Sequence, residues 1–250
     1  MDDAPPGLPD LPDLPDLPGL TVARPPGAVL GDPAPWAGVP APLRRGLGLA
    51  RVRRALELRD GAARGGAEAP PPHGHRRSAV LVALFEEAGE ARLVLTRRAS
   101  GLRHHRGEVS FPGGRMEPGE LPVDTARREA YEEVGLDPAL VDPVGRLGPV
   151  QTFSSGSFIV PVVGALGSRP ELVASPGEVA RVFDVALADL VADGVFHEER
   201  WPVPGRASAG TAGGRIPVWF FQVAGETVWG ATARILTELL GVVLGSDRQL

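Results

Sequence analysis

The sequence predicts a mixed α/β sandwich preceded by a proline-rich, disordered N-terminal arm. Three observations support this fold class. Short apolar strand patterns recur between Ser78 and Val223 with no repeating βαβ unit. Helical patterns interrupt them near Pro122 and close the chain over Trp229–Val243. Fifteen of the 27 prolines fall in residues 1–75, so the early chain reads as extended.

Residues 1–42 read as the arm. A Leu-Pro-Asp repeat from Leu8 to Gly19 places Pro at every third position, a spacing that favours a solvated polyproline-like chain. Residues 43–77 read as a basic helix and a linker. Leu43, Leu47, Val52 and Leu56 share one helical face, and Arg44, Arg45, Arg51, Arg53 and Arg54 fill much of the rest. That helix is expected to pack on the edge of the main domain, which spans 78–245, and Pro70–His75 forms the linker. Ala79–Phe85 is an apolar run suited to a buried strand. With Arg92–Thr96 it predicts a hairpin turning through Glu86–Glu90. A glycine-rich loop at 107–119 leads into a helix of about 15 residues beginning near Pro122. Val144–Thr152 and Phe158–Leu166 read as strands, Val179–Ala192 as helical at least in part, and Phe196–Trp201 and Ile216–Val223 as strands again. The closing helix lines up Ala233, Leu236, Leu239 and Leu240.

Composition excludes several kinds of chemistry. Cysteine is absent, which removes disulfides, zinc–thiolate sites and thiol nucleophiles. All 26 basic residues are Arg, which removes Schiff-base lysines and lysine-dependent phosphate sites. A net charge of −5 argues against general nucleic-acid binding. No apolar run approaches the ~18 residues of a bilayer span, and the Met-Asp-Asp-Ala opening is unlike a secretory signal. A soluble, cytoplasmic protein without a membrane partner is the expectation.

The chemistry concentrates between Gly114 and Leu136. At about 100° per residue, Glu129 and Glu133 lie one above the other on the Pro122 helix, with Glu132 beside them. Like charges at this spacing repel. A hard divalent cation resolves the repulsion, and Mg²⁺ in particular bridges carboxylates to phosphates. Gly114 lacks a Cβ, so a loop carbonyl can approach such an ion. Arg128 can hold a neighbouring carboxylate with its planar fork, and Gly135 suits a helix C-terminus. Residues 117–137 hold seven acids and two Arg, whereas 97–106 hold Arg97, Arg98, Arg103 and Arg106 and no acid. An anionic site thus stands near a cationic stretch able to grip phosphate.

The spacing Gly114, five residues, Glu120, seven residues, Arg128-Glu129, Ala130, Tyr131, Glu132-Glu133, Val134, Gly135, Leu136 resembles the Nudix box. Ala130, where the family has a larger apolar residue, is the one departure, and it bears on packing rather than on the metal. The resemblance implies a Nudix-type α/β/α sandwich with a mixed β-sheet, and Mg²⁺- or Mn²⁺-dependent cleavage of a diphosphate joined to another moiety. It implies Glu129 and Glu133 as the principal metal ligands, with Glu132 and the Gly114 carbonyl assisting. It also leaves a homodimer open.

Upstream, Val94-Leu95-Thr96-Arg97-Arg98-Ala99, Arg103, Gly107 and Phe111-Pro112-Gly113-Gly114 resemble the added signature of the coenzyme A pyrophosphatase branch. Ser155–Val163 and Trp229–Ala233 resemble the same branch. The expected substrate is therefore coenzyme A or an acyl-CoA, cleaved to adenosine 3′,5′-bisphosphate and (acyl-)4′-phosphopantetheine. Arg97, Arg98, Arg103 and Arg106 are the candidate substrate-binding residues. Glu178, Glu120 and Glu132 are candidates for the general base. Two rival readings remain: a pyrophosphatase for ADP-ribose, dinucleotides or nucleoside triphosphates, and a nucleotide-sensing domain that does not cleave. The intact Glu129, Glu132 and Glu133 disfavour the second.

Overall fold

A computed structural model describes residues 23–62, 74–102, 105–152, 156–202 and 214–246. Its centre is the long strand β2 (Arg76–Glu87), which begins two residues before the expected domain boundary. β2 turns through Ala88–Gly89 into β3 (Glu90–Arg98), so the predicted hairpin is present and longer at both ends. β4 (Val109–Ser110) and β5 (Gly113–Arg115) follow, then α2 (Pro122–Val134); α1 (Leu49–Ala62) precedes them all. β6 (Asp142–Arg146), β7 (Val150–Gln151), β8 (Ser157–Ala165) and β9 (Val179–Ala186) complete the main sheet. Its order is β4-β3-β2-β8-β6, with β5 on β2, β7 on β8 and β9 on β3. β2 and β8 run parallel from Arg76↔Ser157 to Leu84↔Ala165, which makes the sheet mixed.

Both faces of this sheet are covered, as its near-continuous apolar run requires. Ala79, Leu81, Ala83 and Phe85 pack under Ala126, Ala130 and Val134 of α2. Val82 and Leu84 face the opposite way, into a larger core with α1 and α4 (Gly230–Leu244). Ala130 is fully buried, so the small residue serves a close helix–sheet contact. A second, antiparallel sheet of order β1-β10-β11-β12 joins the larger core: β1 is Val29–Leu30, β10 Phe196–Pro202, β11 Arg215–Val223 and β12 Glu226–Trp229.

Four expectations need correction. Val179–Ala192 is mainly strand: β9 pairs antiparallel with β3 from Arg92↔Ala186 to Arg98↔Val179, and only the four-residue α3 (Leu187–Leu190) is helical. Its β-branched and aromatic side chains fit a pleated surface better than a helix, and the β3 edge supplies the partner. The arm expected over 1–42 does not extend through 23–42. There β1 pairs with β10, and Trp36 is buried against Phe196 and Phe221. The Leu-Pro-Asp repeat lies outside the described residues. The basic helix begins at Leu49 rather than residue 43, leaving Leu43 exposed while Leu47, Val52 and Leu56 are buried. Val144–Thr152 is two short strands, offset by Leu147–Pro149, rather than one.

Candidate functional site

The site is built where β5 meets α2. Pro122 starts α2 with a φ already suited to a helix and no N–H to lose. Gly135 ends it in the left-handed region at φ 69°, with the Leu136 N–H reaching back to Ala130 O. The helix face so fixed presents Glu129 and Glu133 to the Gly113–Gly114 segment. A Cβ on Gly114 would lie within 2.5 Å of both Glu129 carboxylate oxygens. Only glycine leaves this space to the carboxylate. Gly113 is constrained from the other side: a Cβ there would meet Ala79 O at 2.5 Å and Val80 Cα at 2.6 Å.

Arg128 organises the helix. Its Nε donates to Glu120 Oε1 (2.8 Å) and Nη2 to Glu120 Oε2 (3.1 Å). Nη1 donates to Glu129 Oε1 (2.9 Å) and Glu132 Oε2 (3.2 Å), and Nη2 also donates to the Arg115 carbonyl (3.1 Å). All five donor positions of the guanidinium are thereby engaged. Glu120 also accepts from the Glu117 N–H and the Thr125 hydroxyl. Arg128, then Glu117 N–H and Thr125, hold the Glu120 carboxyl down at about 2. Both Glu120 oxygens are thus committed to Arg128, the Glu117 N–H and Thr125, a geometry that suits holding Arg128 in place.

Glu129 and Glu133 behave oppositely. Burial raises the Glu129 pKa, outweighing the Arg128 hydrogen bond. Burial raises that of Glu133 to about 7, partly opposed by the Gly113 N–H (3.1 Å) and by Arg98. Glu178 is exposed on the loop after β8, yet near enough for its charge to add to both shifts. That loop is tied down at both ends of the site: Val173 N–H and Ser175 N–H donate to Val134 O and Glu133 O, and Ala99 N–H donates to Glu178 O.

The expected metal ligands are not gathered into one ready cluster. Among the described residues no three of His, Asp and Glu converge closely enough to hold an ion, because Arg128 takes up Glu129 and Glu132 while Gly113 and Arg98 take up Glu133. Glu132 is the most solvated of the three, with a side chain 53 % exposed. In kind, however, the site fits a hard divalent cation: desolvated carboxylate oxygens one helical turn apart face a segment that a Cβ would block.

The cationic stretch divides. Successive strand residues face opposite ways, and Arg97 points to the second sheet, where it shares Glu226 with Arg181. Arg98, past a register shift, faces α2, with Nη1 3.5 Å from Glu133 Oε1. Its Nε is buried with no hydrogen-bond partner among the described residues. Arg106 is exposed and folds back on Leu102 O. Arg103 lies outside the described residues. The grip expected from four arginines thus reduces, among those described, to Arg98 beside the carboxylates. The role of Glu226 in diverting Arg97 had no signal in the sequence, since the two lie 129 residues apart.

Comparison with known proteins bears on the family of this chain. The sequence profile of the NUDIX domain matches residues 75–204. Over 175 residues, 68 % of this chain and 88 % of the relative, the sequence is 33 % identical to an uncharacterized Nudix hydrolase, NudL, of Photorhabdus laumondii. It is 37 % identical over 179 residues to the mitochondrial Nudix hydrolase 15 of Arabidopsis thaliana, covering 67 % of this chain and 58 % of that protein. Among solved structures, a MutT/nudix family protein from Enterococcus faecalis aligns with 81 % of this chain and 69 % of that one, at 15 % identity and a TM-score of 0.42.

Proposed function

This chain belongs to the Nudix hydrolase family, which acts on phosphate anhydrides, and from that premise we propose that it hydrolyses the diphosphate of coenzyme A or an acyl-CoA. The observation that supports the chemistry is the pair of desolvated carboxylates, Glu129 and Glu133, set against Gly113–Gly114 with Arg98 alongside. The choice of substrate is supported by the segment from Val94 to Gly114, which resembles the coenzyme A branch and ends at that same turn.

Glu129, Glu133 and the Gly114 carbonyl, assisted by Glu132, would hold Mg²⁺ or Mn²⁺, whose chemistry is to neutralise phosphoryl charge and activate water. Arg128 fixes the Glu129 carboxylate through one hydrogen bond while Glu120 and the Arg115 carbonyl fix Arg128 itself. Arg98 offers its unpartnered Nε to a non-bridging phosphate oxygen, a donor fixed before substrate arrives. Glu178, exposed and near half-buried Glu129 and buried Glu133, accepts the proton of the attacking water. Water attacks one phosphorus, the P–O bond of the anhydride breaks, and the other phosphate leaves. The products are adenosine 3′,5′-bisphosphate and 4′-phosphopantetheine or its acyl form.

The test is product analysis by chromatography after incubation with coenzyme A and Mg²⁺ or Mn²⁺, beside ADP-ribose and NADH. Those two products, with coenzyme A the best substrate by kcat/KM, are expected. Coenzyme A as the poorest of the three would overturn the substrate assignment.

A further inference from the structure

β3 and β9 form one antiparallel ladder, and its two ends hold their arginines in different company. Near the start of β3, Arg92 and Arg169 meet two carboxylates, Glu87 and Asp184. Toward the end of β3, Leu95 stands opposite Phe183 at the larger core. The next rung on that same face sets Arg97 directly opposite Arg181. Like charges in this position destabilise a sheet. A single carboxylate, Glu226 of β12, answers both. Arg181 Nη1 donates to its Oε1 at 2.9 Å, and Arg97 Nη1 donates to the same oxygen at 3.3 Å. Two cations on one anion leave this cluster with one positive charge in excess.

The excess charge is carried by groups that are open to solvent yet held in place. Both arginine side chains are 42 % exposed, whereas that of Glu226 is 10 % exposed. Arg181 is fixed three ways: by Glu226, by the Ala224 carbonyl at 3.3 Å, and by the Phe183 ring, whose centroid lies 4.8 Å from Cζ. Among the described residues, Nε and Nη2 of both guanidiniums have no hydrogen-bond partner. One arginine is enough to satisfy the charge of Glu226 and tie β12 to the main sheet. The second adds repulsion without adding a new protein partner, and it leaves donors aimed at water.

We propose that Arg97 and Arg181 form a phosphate-binding site, with Glu226 fixing the spacing of the two guanidiniums. Each guanidinium presents paired donors in one plane, a fork that matches two oxygens of a phosphate group. A bound anion brings this end of the ladder to the charge balance found at the other. Arg98 and the Nudix carboxylates lie on the opposite face of β3, so this site is separate from the proposed phosphoryl site. Its occupant is a phosphate group, either one carried by the substrate or free inorganic phosphate. The site stands independently of the coenzyme A reading.

Isothermal titration calorimetry with inorganic phosphate tests it, on the full chain at low ionic strength, with and without Mg²⁺. The wild type is expected to bind phosphate in both conditions, and R97A and R181A each to weaken that binding about tenfold. E226Q is expected to strengthen it severalfold, because a competing carboxylate is gone while its shape is kept. Opposite signs for the arginine and glutamate variants are what a purely structural cluster would not produce. Each alanine variant leaves Glu226 one arginine, so the fold should persist; R97K and E226Q carry the test if it does not. Phosphate affinity unchanged in all of these variants overturns the proposal. So does binding that appears only with Mg²⁺ and survives R97A and R181A, since it belongs to the Nudix carboxylates. The KM for coenzyme A identifies the source. A rise of about tenfold in R97A at constant kcat assigns the site to a phosphate of the substrate, and an unchanged KM with phosphate binding lost assigns it to free phosphate. A protein that binds phosphate through this pair and does not cleave coenzyme A keeps the site and rejects only the substrate.

Discussion

Two arginine–glutamate networks in this molecule are built from the same side chains and reach opposite electrostatic outcomes. On the second sheet, Glu199 is fully buried, but Arg24 holds it through Nε (3.0 and 2.9 Å) and Nη2 (2.6 Å), and the Trp201 indole donates at 2.7 Å. Burial alone would raise its pKa; Arg24, Trp201 and His197 together bring it below the ordinary value. On α2, burial wins: Glu129 and Glu133 stay raised despite Arg128, Gly113 and Arg98. A carboxylate whose lone pairs are satisfied is a structural anchor. One left under-compensated beside a glycine cradle retains affinity for something else, and that residual demand marks the site.

The contrast can be broken hardest at Glu133. Glu133→Gln is expected to cut kcat/KM for diphosphate hydrolysis by about 10³-fold, the scale of several kcal/mol of lost charge stabilisation. Its melting temperature should stay level or rise, because a desolvated carboxylate becomes a neutral amide. The anchoring network should respond in reverse. Arg24→Ala leaves a buried charge short of its main partner, at a cost of about 3 kcal/mol, or roughly 6–12 °C in Tm for a chain of this size. Steady-state kcat/KM of the folded fraction should be unchanged. If R24A lost activity without losing stability, the division between the two networks would be wrong.

Much of the catalytic side of this contrast is legible in sequence. Helix phase puts Glu129 and Glu133 together, and Pro122 and Gly135 mark the ends of α2 by local conformational preference alone. The 79–96 hairpin is equally local. What stays hidden depends on pairing at long range. Val179–Ala186 is rich in Val and Phe, yet the Leu, Ala and Asp residues that follow it to Ala192 suit a helix, and the β3 edge that pairs with it lies far away in sequence. Arg24 and Glu199 are 175 residues apart, with nothing in either neighbourhood to announce the other. The Gly113–Gly114 segment is likewise placed at long range, by the pairing of Ser78–Val80 with Gly113–Arg115 in one register. The division of Arg97 from Arg98 is an intermediate case. Period-two alternation separates them in principle, but where Arg97 goes is decided by Glu226.

The two adjacent glycines sharpen the same contrast at smaller scale. In Gly114→Ala the new methyl meets the movable end of Glu129, so the fold should survive while the carboxylate is displaced. A loss of about 10²-fold in kcat/KM is expected, consistent with a small misplacement of a reacting group. In Gly113→Ala the methyl meets backbone at Ala79 and Val80, and about 1–3 kcal/mol of stability should go, as in overpacked cores. Paired denaturant and kinetic measurements separate the two. Equal stability losses would mean that Glu129 is as rigid as the backbone.

The smallest effect concerns Glu120, which lies just before α2 and is tied to Arg128 of that helix, yet behaves like the anchors. Arg128 first, then Glu117 N–H and Thr125, bring its pKa to about 2, below the value of an unfolded chain. A group depressed in the folded state contributes stability that is present above the unfolded pKa of about 4.3 and is lost as pH falls toward 2. The full shift corresponds to about 3 kcal/mol. With the side chain still 18 % exposed, solvent screening reduces this to about 1–2 kcal/mol. Glu120→Gln should therefore flatten the fall in Tm between about pH 5 and pH 2 rather than move its plateau alone. It should also lower kcat, because Arg128 loses the partner that fixes it over Glu129, an indirect effect of about 10–100-fold. A flattened acid limb with unchanged kcat would show that Glu129 keeps its place without Arg128 being pinned, and would put Glu120 wholly among the anchors.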